Sequence, residues 1–189
     1  MKRRFTHTSE KATSCSLPLV AAVTVNWNGL PDTIECVASL RHQSYDNLEV
    51  IVVDNASTGD DVARLAERFG DSVTVVCNET NLGCAGGYNS GIQYARTHSR
   101  PDYILAINND VVADVDMVAA LVHAAESDPT TGLIGPKIYY YDWNGRTDII
   151  WSSGGHIHRW GLKIHSQRGD GEPDEGQFDT MEEVDWISG

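Results

Sequence analysis

The residues best suited to chemistry lie where short apolar runs stop. The run Ile104-Leu105-Ala106-Ile107 is followed at once by Asn108, Asn109 and Asp110, so a buried strand delivers one carboxylate and two carboxamides together. Oxygen donors of this kind suit a hard divalent cation, Mg2+ or Mn2+, held by one or two side chains and completed by ligand phosphates. Three further apolar runs end in polar residues. The first ends in Asn26 and Asn28, the second in Asp54 and Asn55, and the third in the stretch from Asn78 to Asn81 that leads into Gly83, Gly86, Gly87 and Asn89. Singly, each ending reads as turn chemistry, because Asn, Asp and Gly are the residues that leave strands. Their joint occurrence points to one polar rim.

The glycine cluster excludes two nucleotide folds. A dinucleotide fingerprint is G-x-G-x-x-G after the first strand, whereas Gly83-x-x-Gly86-Gly87 follows the third; there is also no G-x-x-x-x-G-K-[ST]. Small residues entering a helix still allow close backbone approach, and Asn89 on the first turn is placed to hydrogen-bond a phosphate-bearing ligand. His156, His158 and His165 form a competing metal set, but histidines alternating after glycines read as hairpin or surface residues. The cysteines Cys15, Cys36, Cys77 and Cys84 show no C-x-x-C spacing and read as reduced thiols, with a Cys77–Cys84 bridge as the alternative.

The elements that must position these groups follow from periodicity. Apolar runs at 20–25 and 48–53 read as buried strands, the first on both faces, with a third run at 73–76 and a fourth strand at 103–107. Between them lie helical patterns: Ile34, Val37, Ala38 and Leu40 after Pro31, then Val62, Leu65, Ala66 and Phe69, then residues 83–97, and finally Met117, Leu121 and Val122 within 115–125. Strands alternating with helices predict an open, mostly parallel α/β sheet with helices on both faces. In such a sheet ligands bind outside the carboxyl ends of the strands, where the polar endings lie. After Pro136 the texture changes to Tyr139-Tyr140-Tyr141, then 149–153 and 154–164, which predicts antiparallel ribbons. Residues 166–183 are polar and acidic and read as a mobile loop, followed by a short apolar element at 184–187.

Composition narrows the partners. With 14 Lys+Arg against 27 Asp+Glu, the 189 residues carry a net charge of −13, and the basic residues are scattered, which disfavours nucleic acid and anionic membrane surfaces. A bridging cation reconciles an acidic protein with a diphosphate ligand. At 41% apolar residues a sizeable core is expected over 17–189, with 1–16 as a disordered lead-in. No apolar run reaches the roughly 18 residues that span a bilayer, and no cleaved signal peptide is expected.

Four motifs now stand in order: V-T-V-N-W-N-G, V-V-D-N-A-S, N-x-G-x-A-G-G-x-N-x-G and I-N-N-D. Together they resemble the N-terminal half of the inverting family 2 glycosyltransferases of GT-A fold, especially the rhamnosyltransferase-like branch, over roughly residues 19–189. The resemblance implies that Asn26 lines a nucleoside pocket, that Asp54 contacts the base and that Asn89 lies near the nucleotide. It places Asn108, Asn109 and Asp110 where the family has its DxD motif; the first Asp is Asn here, which leaves Asp110 as the carboxylate for the metal. E-V-D-W-I-S-G resembles the family's acceptor-side strand, with Asp185 and Trp186 near the sugar. The family's base usually stands in a Glu-Asp pair after the segment that ends here, so the resemblance implies a shortened chain. Asp185 is then the one candidate catalytic base that the resemblance places near the acceptor.

The implied activity is hexosyl or rhamnosyl transfer from a nucleotide-diphosphate sugar, dTDP- or UDP-linked, to a glycan or lipid-linked acceptor in cell-surface polysaccharide synthesis. The implied location is the cytoplasm, with peripheral association at the inner face of the membrane for a lipid-linked acceptor. The alternative is a noncatalytic nucleotide-sugar-binding or interaction module. A nucleotidyltransferase fits less well, because N-W-N-G follows the first strand instead of a glycine-rich loop with a basic residue. A receiver domain fails because no paired acids end the first strand.

Overall fold

The computed structural model describes residues 16–157 and 166–188; the proposed lead-in, except Ser16, and also Cys15, His158 and His165 lie outside them. Strand β1 (Val20–Asn26) stands at the centre, followed by helix α1 (Leu30–Arg41), β2 (Leu48–Asp54), α2 (Asp61–Phe69), β3 (Thr74–Cys77), α3 (Gly83–His98), β4 (Tyr103–Ala106) and α4 (Met117–Ser127). The four strands are parallel in the order β3-β2-β1-β4. Successive strands are added to one side of β1 and then to the other, so the order reverses between β1 and β4. That reversal opens a crevice at the carboxyl ends.

The apolar runs of β1 and β2 are nearly continuous because both sheet faces are covered there, whereas β3 is half-buried to exposed and β4, expected as a buried strand leading into Asn108–Asp110, alternates half-buried and exposed residues because it lies at the edge of the sheet. Along β1 and β2, Ala22, Val50 and Val52 point to one face, where they meet Cys36, Val37 and Leu40 of α1 and Leu65 of α2. Their neighbours Ala21, Val23, Ile51 and Val53 point to the other, against Ala95 of α3. Alternation sends successive side chains to opposite faces, and here both faces are core. On the outer side of β1, Val118 and Val122 of α4 close on Val20 and Tyr45.

Beyond α4 the chain forms two small antiparallel pairs: β5 (Ile138–Tyr139) with β6 (Ile150–Ser152), and β7 (Gly155–His156) with β8 (Ser166–Gln167). The expected α/β architecture with a following ribbon region is the observed one. Residues 166–183 differ from the mobile loop expected of their composition. Their start pairs with β7, Ile150 N donates to Glu172 O at 2.9 Å, Gly171 N donates to Ile150 O at 2.9 Å, and Asp174 N donates to Asp148 O at 2.8 Å. Backbone hydrogen bonds hold this segment, so apolar periodicity carries no trace of it. Cys36, Cys77 and Cys84 are free thiols, so the Cys77–Cys84 alternative does not hold. Among the described residues no helix is long and apolar enough to cross a membrane.

Candidate functional site

Parallel register sets the rim. Asn26 pairs with Asp54 at the last rung between β1 and β2, and Asp54 pairs with Cys77 at the last rung between β2 and β3. On the other side Ile107 N donates to Val23 O at 3.1 Å, which brings the segment after β4 alongside the end of β1. The polar endings read from the sequence therefore converge on one edge of the sheet, with different jobs.

Asn26 and Asp54 form a buried hydrogen-bonded network at this edge. Asn26 is fully buried and Asp54 is 4% exposed. Asn26 Nδ2 donates to Asp54 Oδ1 at 3.0 Å, to Ser57 Oγ at 3.1 Å and to Asp61 Oδ2 at 2.9 Å, while Asp54 Oδ2 accepts from Ser57 N at 3.1 Å. The turn that brings Ser57 back over Asn26 passes through Ala56 at φ 64, a left-handed conformation that costs a residue with a side chain about 1 kcal/mol. Asn28 sits above, exposed, with its backbone N–H on Ser57 Oγ at 2.9 Å and its Oδ1 accepting from Thr58 N at 2.9 Å.

Asn55 organises the next loop. Its Nδ2 donates to Asn81 Oδ1 at 2.9 Å and to Gly83 O at 3.1 Å, and its Oδ1 accepts from Asn78 Nδ2 at 3.0 Å and from Leu82 N at 3.1 Å. With every polar atom engaged and only 2% of its surface exposed, Asn55 holds the segment between β3 and α3 against the end of β2. Gly83 starts α3 at φ 72, where the chain turns from the rim into the helix. The other glycines serve packing instead of ligand approach: a Cβ on Gly87 would meet Val25 Cγ1 at 2.7 Å, and one on Gly91 would meet Val23 Cγ1 at 2.4 Å.

An open cleft of about 390 Å³ lies at the same edge, lined by Val25, Trp27, Asn55, Asn81, Gly83, Cys84, Tyr88, Asn108 and Asn109; Asn26 and Asp54 are not among its lining residues. Trp27, 57% exposed, presents a large aromatic surface at its edge. Tyr88 O–H donates to Asn108 Oδ1 at 3.1 Å, and burial, with the nearby Cys84, Cys36 and Asp110, pushes its phenol up to about 12, so it remains a donor at any physiological pH. The polar ending at Asn81 is the one expected at the rim, whereas Trp27 and Tyr88 are not among the sequence candidates and Cys84 is one only as a thiol. For Trp27 a signal existed: a tryptophan between two asparagines at the end of a buried run has nowhere to go but the rim.

Asn109 lines the cleft and Asp110 follows it in the chain. Asn109 Nδ2 donates to Thr33 Oγ1 at 2.9 Å, and among the described residues the Asp110 carboxylate is exposed and makes no hydrogen bond or ion pair. No group of three His, Cys, Asp or Glu able to hold a metal exists among the described residues. One free carboxylate flanked by carboxamides on an open rim is the donor set expected where a hard cation takes most of its ligands from a bound phosphate and water. The residues therefore fit Mg2+ or Mn2+. Asn89 lies exposed on α3 and is not among the cleft-lining residues. Asp185, half exposed, accepts from Ile157 N at 2.9 Å and lies 3.5 Å from His156 Nδ1, in the β7 region.

Comparison with known proteins gives concordant results. The family profile described as "Glycosyl transferase family 2" matches residues 22–177. "Glycosyltransferase GlyG" of Streptococcus pneumoniae is 28% identical over 127 residues, which is 66% of this chain and 40% of that protein. The "Glucosyl-dolichyl phosphate glucuronosyltransferase" of Haloferax volcanii is 30% identical over 118 residues, 59% of this chain and 34% of that one. Among solved structures, a mannosyltransferase of Pyrobaculum calidifontis in complex with GDP-Man and Mn2+ superposes with a TM-score of 0.52 at 28% identity, covering 62% of this chain and 35% of the other. TarS of S. aureus in complex with UDP-GlcNAc shares the fold at 18% identity, with a TM-score of 0.52 over 66% of this chain and 38% of that one. The present chain thus spans at most two-fifths of the length of these relatives.

Proposed function

Because the chain belongs to glycosyl transferase family 2, we propose that it carries the donor-binding part of a metal-dependent glycosyltransferase, with the cleft at the β1–β4 crevice as the nucleotide-sugar site. The observation that carries this reading is the convergence, at one sheet edge, of an aromatic face (Trp27), a wall of carboxamides (Asn55, Asn81, Asn108, Asn109) and an uncommitted carboxylate (Asp110). A nucleoside needs stacking and hydrogen bonding, while a diphosphate next to an acidic protein needs a cation.

In this assignment Trp27 stacks on the base, and Asn26 and Asp54 hold the floor of the nucleoside pocket. Asn28, Asn55, Gly83 and Asn89 belong to the donor side, with Asn55 shaping the loop that carries Asn81 and Gly83. Asp110 holds the cation, with Asn108 and Asn109 beside it. A bound Mg2+ or Mn2+ neutralises charge on the departing diphosphate. An acceptor hydroxyl attacks the anomeric carbon on the face opposite the diphosphate; as the new C–O bond forms the bond to the diphosphate breaks, the hydroxyl proton passes to a base, and the configuration inverts. We assign Asp185 to the acceptor side, orienting the region around His156, because its Oδ2 already accepts from Ile157 N. The rhamnosyltransferase-like motifs favour a dTDP- or UDP-linked sugar and a glycan or lipid-linked acceptor, with the chain working in the cytoplasm at the inner membrane face. The domain is taken as residues 17–189.

The test is a thermal-shift titration with UDP-, dTDP- and GDP-sugars, each with and without Mn2+, since a ligand that binds only the native state raises its apparent stability. A Mn2+-dependent shift for one nucleotide is the expected result and names the donor class. A cooperative melt that no nucleotide moves would overturn the donor-site assignment. The noncatalytic alternative shares the donor site and separates from the main reading in a donor-consumption assay, where it leaves the nucleotide sugar intact.

A further inference from the structure

Asn109 and Asn26 belong to the ends of different strands, on opposite sides of the crevice, and one side chain outside every motif joins them. Thr33, in the first turn of α1, has no exposed surface. Its Oγ1 accepts from Asn109 Nδ2 at 2.9 Å and donates to Asn26 Oδ1 at 2.8 Å, with Gly29 O at 3.0 Å as a second acceptor for the same proton. Asn26 Nδ2 then donates onward to Asp54 and Asp61. The bonds run in one direction, from the rim to two buried carboxylates, so each donor is polarised by the acceptor beyond it. The backbone closes the other side of the Asn109 amide, since a Cβ on Gly29 would lie 2.9 Å from its Nδ2.

A threonine early in a helix often does no more than bond back to the carbonyl four residues earlier. That accounts for the contact to Gly29 O. It does not account for bonds to Asn26 and Asn109, which tie α1 to two strand ends at once.

We propose that Thr33 is a positioning residue of the donor site, an inference that rests on the reading of the cleft given above. Its hydroxyl holds the Asn109 carboxamide by the nitrogen, which leaves the oxygen to face a cation beside Asp110. The same hydroxyl fixes that strand end against Asn26 under the nucleoside. The cation end and the nucleoside end of the crevice are thereby set as one unit, although no single motif contains both.

The test compares the parent chain with Thr33→Val, which keeps the shape and removes the hydroxyl, and Thr33→Ser, which keeps the hydroxyl. Two quantities are read: the side-chain amide resonances of Asn109 in the ligand-free protein, and the affinities for UDP, dTDP and GDP with and without Mn2+. In Thr33→Val the Asn109 amide signals move to solvent-exposed values. The Mn2+-dependent gain in nucleotide affinity falls by about tenfold, the scale of one lost hydrogen bond, and metal-free affinity falls by a smaller factor through Asn26. Thr33→Ser restores both. Should valine prevent folding by stranding the buried Asn26 amide and the half-buried Asn109 amide, Thr33→Ala, with room for a water, takes its place. Unmoved Asn109 signals, or a full Mn2+-dependent gain despite a freed amide, would overturn the role of Thr33. A parent chain that gains nothing from Mn2+ with any of the three diphosphates overturns the donor-site reading and the cation part of this role with it; a failure confined to the variants overturns Thr33 alone.

Discussion

At the scale of single residues, the rim separates groups that are spent on the protein from groups left for a ligand. Asp54 and Asn55 look alike in sequence, both polar residues ending β2, yet both are buried and fully engaged. Asp110 is exposed with no hydrogen-bond or ion-pair partner among the described residues. Asp110→Ala therefore removes the Mn2+-dependent part of nucleotide binding and leaves the melting temperature of the ligand-free chain within about 1 °C, as expected for a surface site away from packing. Unchanged metal dependence in calorimetry would remove Asp110 from the cation site. Asp54→Ala behaves differently. It strands donors from Asn26 and Ser57 in a buried place, costs about 1–3 kcal/mol in urea melts, and weakens nucleoside binding even without metal. Parent-like affinity for the nucleoside would take Asp54 out of the pocket floor.

Elements bring these residues together through close packing, and α3 shows the constraint most sharply. Gly87, Gly91 and Ala95 recur every four residues on the helix face that meets the sheet. At Gly91 even one added carbon would lie 2.4 Å from Val23 Cγ1 and 2.8 Å from Val53 Cγ2. Alanine ordinarily favours a helix over glycine by about 1 kcal/mol. Here overpacking wins, and Gly91→Ala is expected to destabilise the chain by about 1–3 kcal/mol in urea unfolding. A stabilised Gly91→Ala variant would show that α3 has room to move off the sheet. The spacing of these glycines was plain in the sequence, but their direction was not: a small residue suits a ligand's approach as well as a strand's, and only the register of α3 on β1 decides between them.

The whole molecule joins a parallel α/β layer to an antiparallel region, and charge helps to hold the second part in place. Lys137, just before β5, reaches Asp174 at 2.7 Å and Asp179 at 2.8 Å. Burial opposes its charge, but the two carboxylates raise its pKa well above the usual lysine range. Asp174 in turn is held down to about 2 by hydrogen bonds from Lys137 and Tyr139 and from the backbone of Gly176. A carboxylate with a depressed folded pKa binds fewer protons than its unfolded form, so its contribution is full above the ordinary value of 3.8 and is lost as pH falls toward about 2. Lys137→Met is expected to cost about 1 kcal/mol at neutral pH, a modest figure because the pair is partly solvated. The gap between parent and variant closes as pH falls from 3.8 toward about 2. Urea melts across that range check it, and a gap independent of pH would show that the ion pair with Asp174 does not carry the stabilisation.

The sequence by itself determined the α/β architecture and the location of the rim. Runs such as 20–25 and 48–53 are apolar at all but one position each, Thr24 and Glu49, because both faces of a central parallel strand are buried, and polar residues gather where such a strand leaves the sheet. That is local information, written along the chain. Only the tertiary structure decided which rim residues face a ligand, that Trp27 and Tyr88 border the cleft, and that Thr33 joins Asn26 to Asn109. It also decided that residues 166–183 are tied to β6 and Lys137. These outcomes depend on which atoms meet across 76 residues of chain for Asn109 and Thr33, or 37 for Lys137 and Asp174. A hydrogen bond needs its partners within about 0.3 Å of the right separation, and periodicity places elements without fixing separations between them.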